Sequence, residues 1–508
     1  MQVVRLAFAF LSLALAAFPA SARWAVAETP HFRIWSEQND RLLREDAAVL
    51  EDYHALLELV TGRKWPQEAP KLDIYIVPGL REMKIIEPEA GQNVAGLYAA
   101  SSGQIAALSM RTSADPQFAR QTLLHEYAHH FMMQVAQTAM PSWYVEGFAE
   151  YMMTAQFRPD RVEWGEVNVG RAYQLLTGSW IPLEKLLDRY SRVDPYAFYA
   201  QSWLMAHYMY RTPGMAPKLQ AYLLKVAEGG DPVESFRTEV DPDLEGFQKK
   251  LRAYINGRSR TYTRMKREPP GSAAVEMRVL PESADDMLLP LVSMQYPQKG
   301  ETDARNLKTI RAEAAKYKGD PWAERALAIA EAIGGDATTA APLLDAALAK
   351  TPADPMLLRW RARLYKPFDP DTPEEDVKSA RRLLTRAYKA DPNDWLTLRD
   401  YVRTYQARNP VLEKNQMNAL LAAYQLAPQV SELAIETGDA LARAGRYREA
   451  WSVMSPTVFN PHRRNLSDEV QAYMAALKAE DGEKVKAFLA KGLPAVADEE
   501  EEPSGGKN

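Results

Sequence analysis

The run His125-Glu126-Tyr127-Ala128-His129 decides how this chain is read. It lies in a segment that opens on Asp115-Pro116, a helix N-cap followed by a first-turn proline, and keeps a helical pattern through Val135. Residues four apart on a helix share a face, so the two imidazoles stand about one turn apart and can bind one zinc ion. Glu126 then reaches water at that metal, where its role is to take the water's proton while the metal polarises a carbonyl. With 7 His among 508 residues, chance supplies such a pattern on the order of 0.01 times per chain.

Two histidines leave a catalytic zinc short of a protein ligand, which predicts a further His, Asp or Glu nearby. A second helical run follows from Pro141-Ser142, reading Trp143-Tyr144-Val145-Glu146-Gly147-Phe148-Ala149-Glu150-Tyr151-Met152. Glu146 and Glu150 share one face of it. An acidic pair on an otherwise apolar helix must meet a cation or solvent. HEYAHH followed by WYVEGFAEY resembles the gluzincin, or peptidase MA-like, metallopeptidases, which include thermolysin-like enzymes and the zinc aminopeptidases. The resemblance implies that Glu146 completes the zinc site and that Glu150 steadies a ligand histidine from behind. Sixteen residues separate His129 from Glu146, slightly fewer than in the best-known members, and Glu150 stands as the fallback ligand. By position, Asp194-Pro195-Tyr196-Ala197-Phe198-Tyr199 resembles the aminopeptidase stretch whose tyrosine steadies the oxyanion. That role falls on Tyr199, with Tyr196 as its neighbour. His130 and His207 are read as structural.

Working outward, His31 to Trp35 alternates as a strand, Asp40 to Val60 is helical, and Lys71 to Val77 alternates again. Val94 to Tyr98 and Gln104 to Leu108 flank Ser101-Ser102-Gly103 as a hairpin, giving a small mixed sheet. The G-x-M-E-N motif with which aminopeptidases grip a free amine does not occur before Asp115. A strand such as Gln104 to Leu108, beside the zinc helix, is expected to pair with an extended peptide, which suits an endopeptidase.

The chain is long enough for two or three domains, and 25% charged with 46% hydrophobic residues is ordinary globular composition. Lys+Arg 62 against Asp+Glu 67 leaves a net charge of −5, with no global positive field for nucleic acid. The absence of cysteine excludes disulfides, thiolate metal sites and cysteine nucleophiles. Arg5, the apolar run Leu6 to Phe18 and Pro19-Ala20-Ser21-Ala22 form a signal-peptide pattern with cleavage expected after Ala22. No other stretch is long and apolar enough to span a bilayer stably. The protein is therefore expected to be exported, periplasmic or extracellular.

Beyond Arg264, the stretch from Met265 to Ser272 has the proline, glycine and charge of a linker. Helical patterning then resumes near residue 284, punctuated by Pro352, Pro392 and Pro428 at intervals of 40 and 36 residues. Ala328, Gly335, Ala340, Leu344, Ala347 and Pro352 follow a small-and-large order that Gly438, Leu441, Gly445, Tyr447, Ala450 and Met454 largely repeat. This half resembles a tetratricopeptide array of about three or four units. The expected architecture is an α+β zincin-like metallopeptidase domain over 23–264, a linker over 265–283, an all-α tetratricopeptide-like helical repeat domain over 284–494 and a disordered acidic tail over 495–508.

The function so implied is an exported Zn2+-dependent endopeptidase working through a zinc-activated water. His125, His129 and Glu146 are its metal ligands, Glu126 its general base and Tyr199 its oxyanion donor. Its repeats would hold a protein partner or the peptide substrate. A rival class is a non-catalytic periplasmic scaffolding or assembly protein with a peptidase-like binding domain. Glu126 separates the two, because a structural zinc site has no use for it. Hydrolysis of a non-peptide bond is a third possibility.

Overall fold

The computed structural model describes residues 23–91, 94, 96–111, 116–136, 138–188, 193–257, 261–266, 275–296, 301–459 and 467–492. The expected signal peptide, the Asp115 cap and the expected acidic tail lie outside these residues. The chain forms an N-terminal mixed α/β domain followed by a long all-α region. No helix among the described residues is long and apolar enough to cross a membrane.

In chain order the first domain begins β1 (Ala25–Glu28), β2 (Phe32–Ser36), α1 (Asp40–Thr61), β3 (Leu72–Val77), α2 (Leu80–Ile86), β4 (Gly96–Ala100), β5 (Ile105–Met110) and α3 (Pro116–Ala136). It continues with α4 (Ser142–Met152), β6 (Gln156–Phe157), β7 (Arg161–Trp164), α5 (Val169–Thr177), α6 (Leu183–Leu187), α7 (Pro195–Arg211), α8 (Met215–Ala227), α9 (Pro232–Glu239), α10 (Leu244–Gly257), β8 (Thr263–Lys266) and β9 (Glu276–Val279). The main sheet has the order β4-β5-β3-β2-β1-β9, parallel across β2, β3 and β5 and antiparallel elsewhere. Strand alternation sorts its side chains into two cores. Phe32, Ile34, Ile74 and Ala107 meet α1 and α3, while Tyr75, Val77, Ala106 and Leu108 meet the opposite layer. α1 is fixed by the Asn39 side chain at its start and by Gly62, at φ 67°, at its end.

Three expectations are corrected here. β5 already has β4 and β3 on its two sides, so it offers no free edge; the edge strands of the sheet are β4 and β9, and β4 is the one beside α3. Two strands fall in and around the stretch expected as a linker: β8 pairs with β7 in a small sheet, and β9 pairs with β1. Their partners stand about 100 and 250 residues earlier in the sequence, a pairing that local composition does not encode.

The helical region comes in successive pairs: α11 (Ala284–Gln295) with α12 (Glu301–Ala314), α13 (Pro321–Gly334) with α14 (Ala337–Lys350), and α15 (Pro355–Arg363) with α16 (Glu374–Ala390). The pairs α17 (Trp395–Gln406) with α18 (Lys414–Leu426), α19 (Ser431–Arg443) with α20 (Tyr447–Val458), and α21 (Asp468–Lys478) with α22 (Gly482–Lys491) complete it. This is the third correction, since six pairs stand among the described residues where three or four units were expected. Asp320, Asp354 and Asp394 cap the first helices of three pairs with their side chains. Bidentate ion pairs then join one pair to the next: Arg325 to Asp354, Arg363 to Asp400 and Arg399 to Glu436. The last two are related by a shift of 36 residues along the sequence. Gly438 is required because a Cβ there would lie 2.2 Å from Met454 of the partner helix.

The two halves share a core. Leu288, Leu289 and Val292 of α11 join Tyr75, Val77 and Leu108 in covering the far face of the sheet. The β4–β5 hairpin tip docks against the helices as well, with Gln104 Nε2 donating to the Val292 carbonyl at 3.0 Å and Arg399 to the Ser102 carbonyl at 3.3 Å. Gly103 lies flush against Gln295, whose carbonyl oxygen a Cβ would overlap.

Candidate metal centre

α3 and α4 cross in the core of the first domain and bring together His125, His129 and Glu146, the one group of metal-binding geometry among the described residues. His125 Nε2 and His129 Nε2 are 3.0 Å apart, and Glu146 Oε2 stands 3.5 Å from each. Donors ~2.0–2.1 Å from a tetrahedrally bound zinc lie ~3.3 Å from one another, so these three atoms have the spacing of three corners of such a site. Glu146 is 1% exposed. A carboxylate so placed between two imidazoles is the donor set zinc prefers.

Glu150, 3% exposed, takes the position behind His125, its Oε1 at 4.0 Å from Nδ1. Its oxygens are occupied by other groups: Arg171 holds it with two contacts of 2.6 and 3.1 Å, and Asn168 Nδ2 donates at 2.9 Å. Glu146 is therefore the acid that shares a centre with both histidines. Burial opposes charge on His125, but Glu146, Glu150 and Glu126 outweigh it and hold its pKa above the ordinary value. Three carboxyl groups, those of Glu126, Glu146 and Glu150, gather at this cluster against the one guanidinium of Arg171, a surplus of acidic groups that a divalent cation complements.

Glu126 is half-buried on the same helix, and its charge acts on His125, on Tyr98 of β4 and on Tyr199. Burial, with Glu146, Glu150 and Glu126, pushes the Tyr199 hydroxyl well above its ordinary pKa and keeps it a proton donor. The Arg171 guanidinium lies over the Tyr199 ring at 5.0 Å from its centroid. Tyr196, the neighbouring candidate, is 42% exposed. Gly147 sets the approach of α7, which carries Tyr199, to α4: a Cβ there would lie 2.2 Å from the Ser202 carbonyl oxygen. The glycine beside Glu146 thus allows two helix backbones to touch.

Among the described residues, the remaining histidines are embedded in packing. His207 is buried with Tyr254 on Nδ1 and the carbonyls of Gly165 and Thr261 on Nε2, and burial lowers its pKa to about 4. His54 stacks on His31 at 3.6 Å, meets the Tyr127 hydroxyl at 2.7 Å, and is likewise lowered to about 4 by burial. His130 is outside the grouped donors and turns its Nδ1 to Tyr98 and Gln429.

Sequence reasoning missed Arg171, Asn168 and Tyr98. Asn168 had a signal, since its side chain caps α5 by accepting from the Arg171 amide and so fixes the helix that delivers Arg171. No family model matches the chain, and no curated protein or solved structure matches it.

Proposed function

We propose that this chain is a zinc-dependent metallopeptidase of the gluzincin type, an endopeptidase exported from the cytoplasm and followed by a tetratricopeptide-like array. The observation that carries the reading is the triangle of His125 Nε2, His129 Nε2 and Glu146 Oε2, with Glu126 beside it on the same helix. Zinc held by these residues supplies Lewis acidity, polarising a scissile carbonyl and making water more acidic.

The chain's own residues do the rest. The Glu126 carboxylate accepts the proton of the attacking water and returns it to the leaving nitrogen. The Tyr199 hydroxyl donates to the oxygen that becomes negative, and Arg171 against its ring fixes its direction. Glu150 holds His125 from behind, and the bidentate pair with Arg171 keeps Glu150 from competing as a ligand. The open edge of β4 lies beside α3 and offers backbone groups to an extended peptide. The Arg363–Asp400 and Arg399–Glu436 ladder supports the repeat reading, because the same contact recurs from one helix pair to the next.

Metal analysis of the mature protein, with casein as substrate, tests this function. The expected result is about one zinc per chain and cleavage, with both lost in Glu146→Ala. Zinc retained at full occupancy in Glu146→Ala contradicts the assignment.

A further inference from the structure

The repeats close over one flank of the metal helix. α3 presents His125 and His129 to Glu146, and it presents His130 and Gln134 to the helical region. Gln134 Nε2 donates to the Gln425 carbonyl at 2.9 Å, and Gln429 Nε2 approaches His130 Nδ1 at 3.2 Å. Tyr98 of the edge strand β4 meets the same nitrogen at 2.8 Å.

At this seam lies a cavity of about 50 Å³. The metal-bearing domain lines it with His129, Met132 and Met133, and the repeats line it with Tyr424, Gln429 and Phe459. His129 in its wall sets the cavity directly beside the candidate metal ligands. Its volume is well below the ~150 Å³ of a dry cavity that admits benzene, so it suits a small aliphatic side chain and excludes an aromatic one. Thioether and aromatic walls are adaptable apolar surface. One polar atom stands out: Gln429 is 7% exposed, its amide nitrogen is turned to His130, and its Oε1 has no hydrogen-bond partner. A buried amide oxygen in that state is the complement of a peptide N–H.

We propose that this seam cavity is a substrate subsite built jointly by the two halves of the chain. A small aliphatic residue flanking the scissile bond inserts its side chain between Met132 and Met133 on one side and Tyr424 and Phe459 on the other. The repeats are then part of the specificity machinery. The role as subsite rests on the hydrolytic reading above, while the cavity's affinity for a small aliphatic amide does not.

The experiment follows the methionine methyl resonances of zinc-loaded, full-length mature protein during titration with N-acetylvaline N-methylamide and its phenylalanine counterpart. The same peptides with Gly, Val or Phe beside the cleaved bond are then compared by kcat/KM. The expected result is that the Met132, Met133 and Met140 methyls respond to the valine amide and not to the phenylalanine amide. Ser431→Met, which fills the repeat side of the cavity, abolishes the response. Val is expected to exceed Gly by about tenfold or more in kcat/KM, as a fitted apolar pocket gives. The ratio should collapse to within about twofold in Ser431→Met. Methyls that ignore the valine amide, or peptides cleaved with no such preference, overturn the proposal. Methyls that respond in a protein that cleaves no peptide leave the cavity as a ligand site and overturn the hydrolytic reading instead.

Discussion

Replacing Gly147 by alanine adds a single methyl group one residue beyond the proposed ligand Glu146, and its consequences can be worked from the helix crossing. The added Cβ would lie 2.2 Å from the Ser202 carbonyl oxygen, 2.7 Å from its carbon and 3.3 Å from the Ala206 Cβ. Ordinary contact needs ~3.5 Å, so α7 must retreat by roughly 1 Å from α4. Overpacking of this kind costs about 1–3 kcal/mol. The larger effect is on geometry, because Tyr199 sits on α7 one turn before Ser202, and a displacement of that size at a reacting group can cost about 100-fold in rate. Zinc content should stay near one per chain, since His125, His129 and Glu146 lie on α3 and α4. The assay is kcat/KM on a quenched-fluorescence peptide for wild type, Gly147→Ala, Tyr199→Phe and the double variant. If the glycine acts by placing Tyr199, Tyr199→Phe loses activity and the double variant is no worse than Gly147→Ala alone. Gly147→Ala with wild-type stability and wild-type kcat/KM, or losses that simply multiply in the double variant, would refute the reasoning.

Other consequences follow from the buried charges. Arg171→Met leaves the carboxylate of Glu150 buried without its bidentate partner. It should lower stability by about 3 kcal/mol in urea unfolding and weaken zinc binding about 10- to 100-fold, read by competition with a chelator. Unchanged zinc affinity would remove Glu150 and Arg171 from the site. Acid should destabilise the fold through His54 and His207, whose folded pKa values of about 4 lie below the ordinary 6.5. The unfolded chain binds the protons first, so this stability is fully present above pH 6.5 and is lost as pH falls from there towards 4. Each histidine accounts for about 2 kcal/mol between pH 7 and pH 5. The urea midpoint should fall over that interval, and less so in His207→Gln. Asp400→Leu strands the Arg363 guanidinium between two helix pairs and should cost about 3 kcal/mol or more. Thermal scans of the variant should show the loss in the helical region, and a wild-type melting profile would mean that the ladder contributes nothing.

The helices that carry His125, His129 and Glu146 were legible because their signals are local. His125, Glu126 and His129 sit on one turn and a half of helix, and Glu146 lies on the next helix in the chain. The strands Phe32–Ser36 and Leu72–Val77 were legible by alternation, since each sends residues to both cores of a sheet covered on two faces. What escaped depends on contacts far apart in sequence. β1 and β9 are four-residue strands that exist by pairing with each other, and β1 also pairs with β2. The choice of β4 over β5 as the open edge turns on which strand β3 accepts as neighbour, and neither segment encodes that by itself. Arg171 gave no sign that it would hold Glu150, because the contact spans 21 residues and a separate sheet. The seam between the halves depends on α11 covering the far face of the sheet, which its uninterrupted apolar run permits but does not announce.

The most direct test of the central claim compares Glu126→Gln with the unmutated mature protein for zinc content and for hydrolysis of casein or a quenched peptide. Glu126 is not one of the three grouped donors, so both proteins should hold about one zinc. The unmutated protein should cleave, and the variant should be slower by about 100-fold or more. Equal zinc content with equal cleavage would contradict Glu126 as the proton carrier, and absence of zinc from both would contradict the site itself.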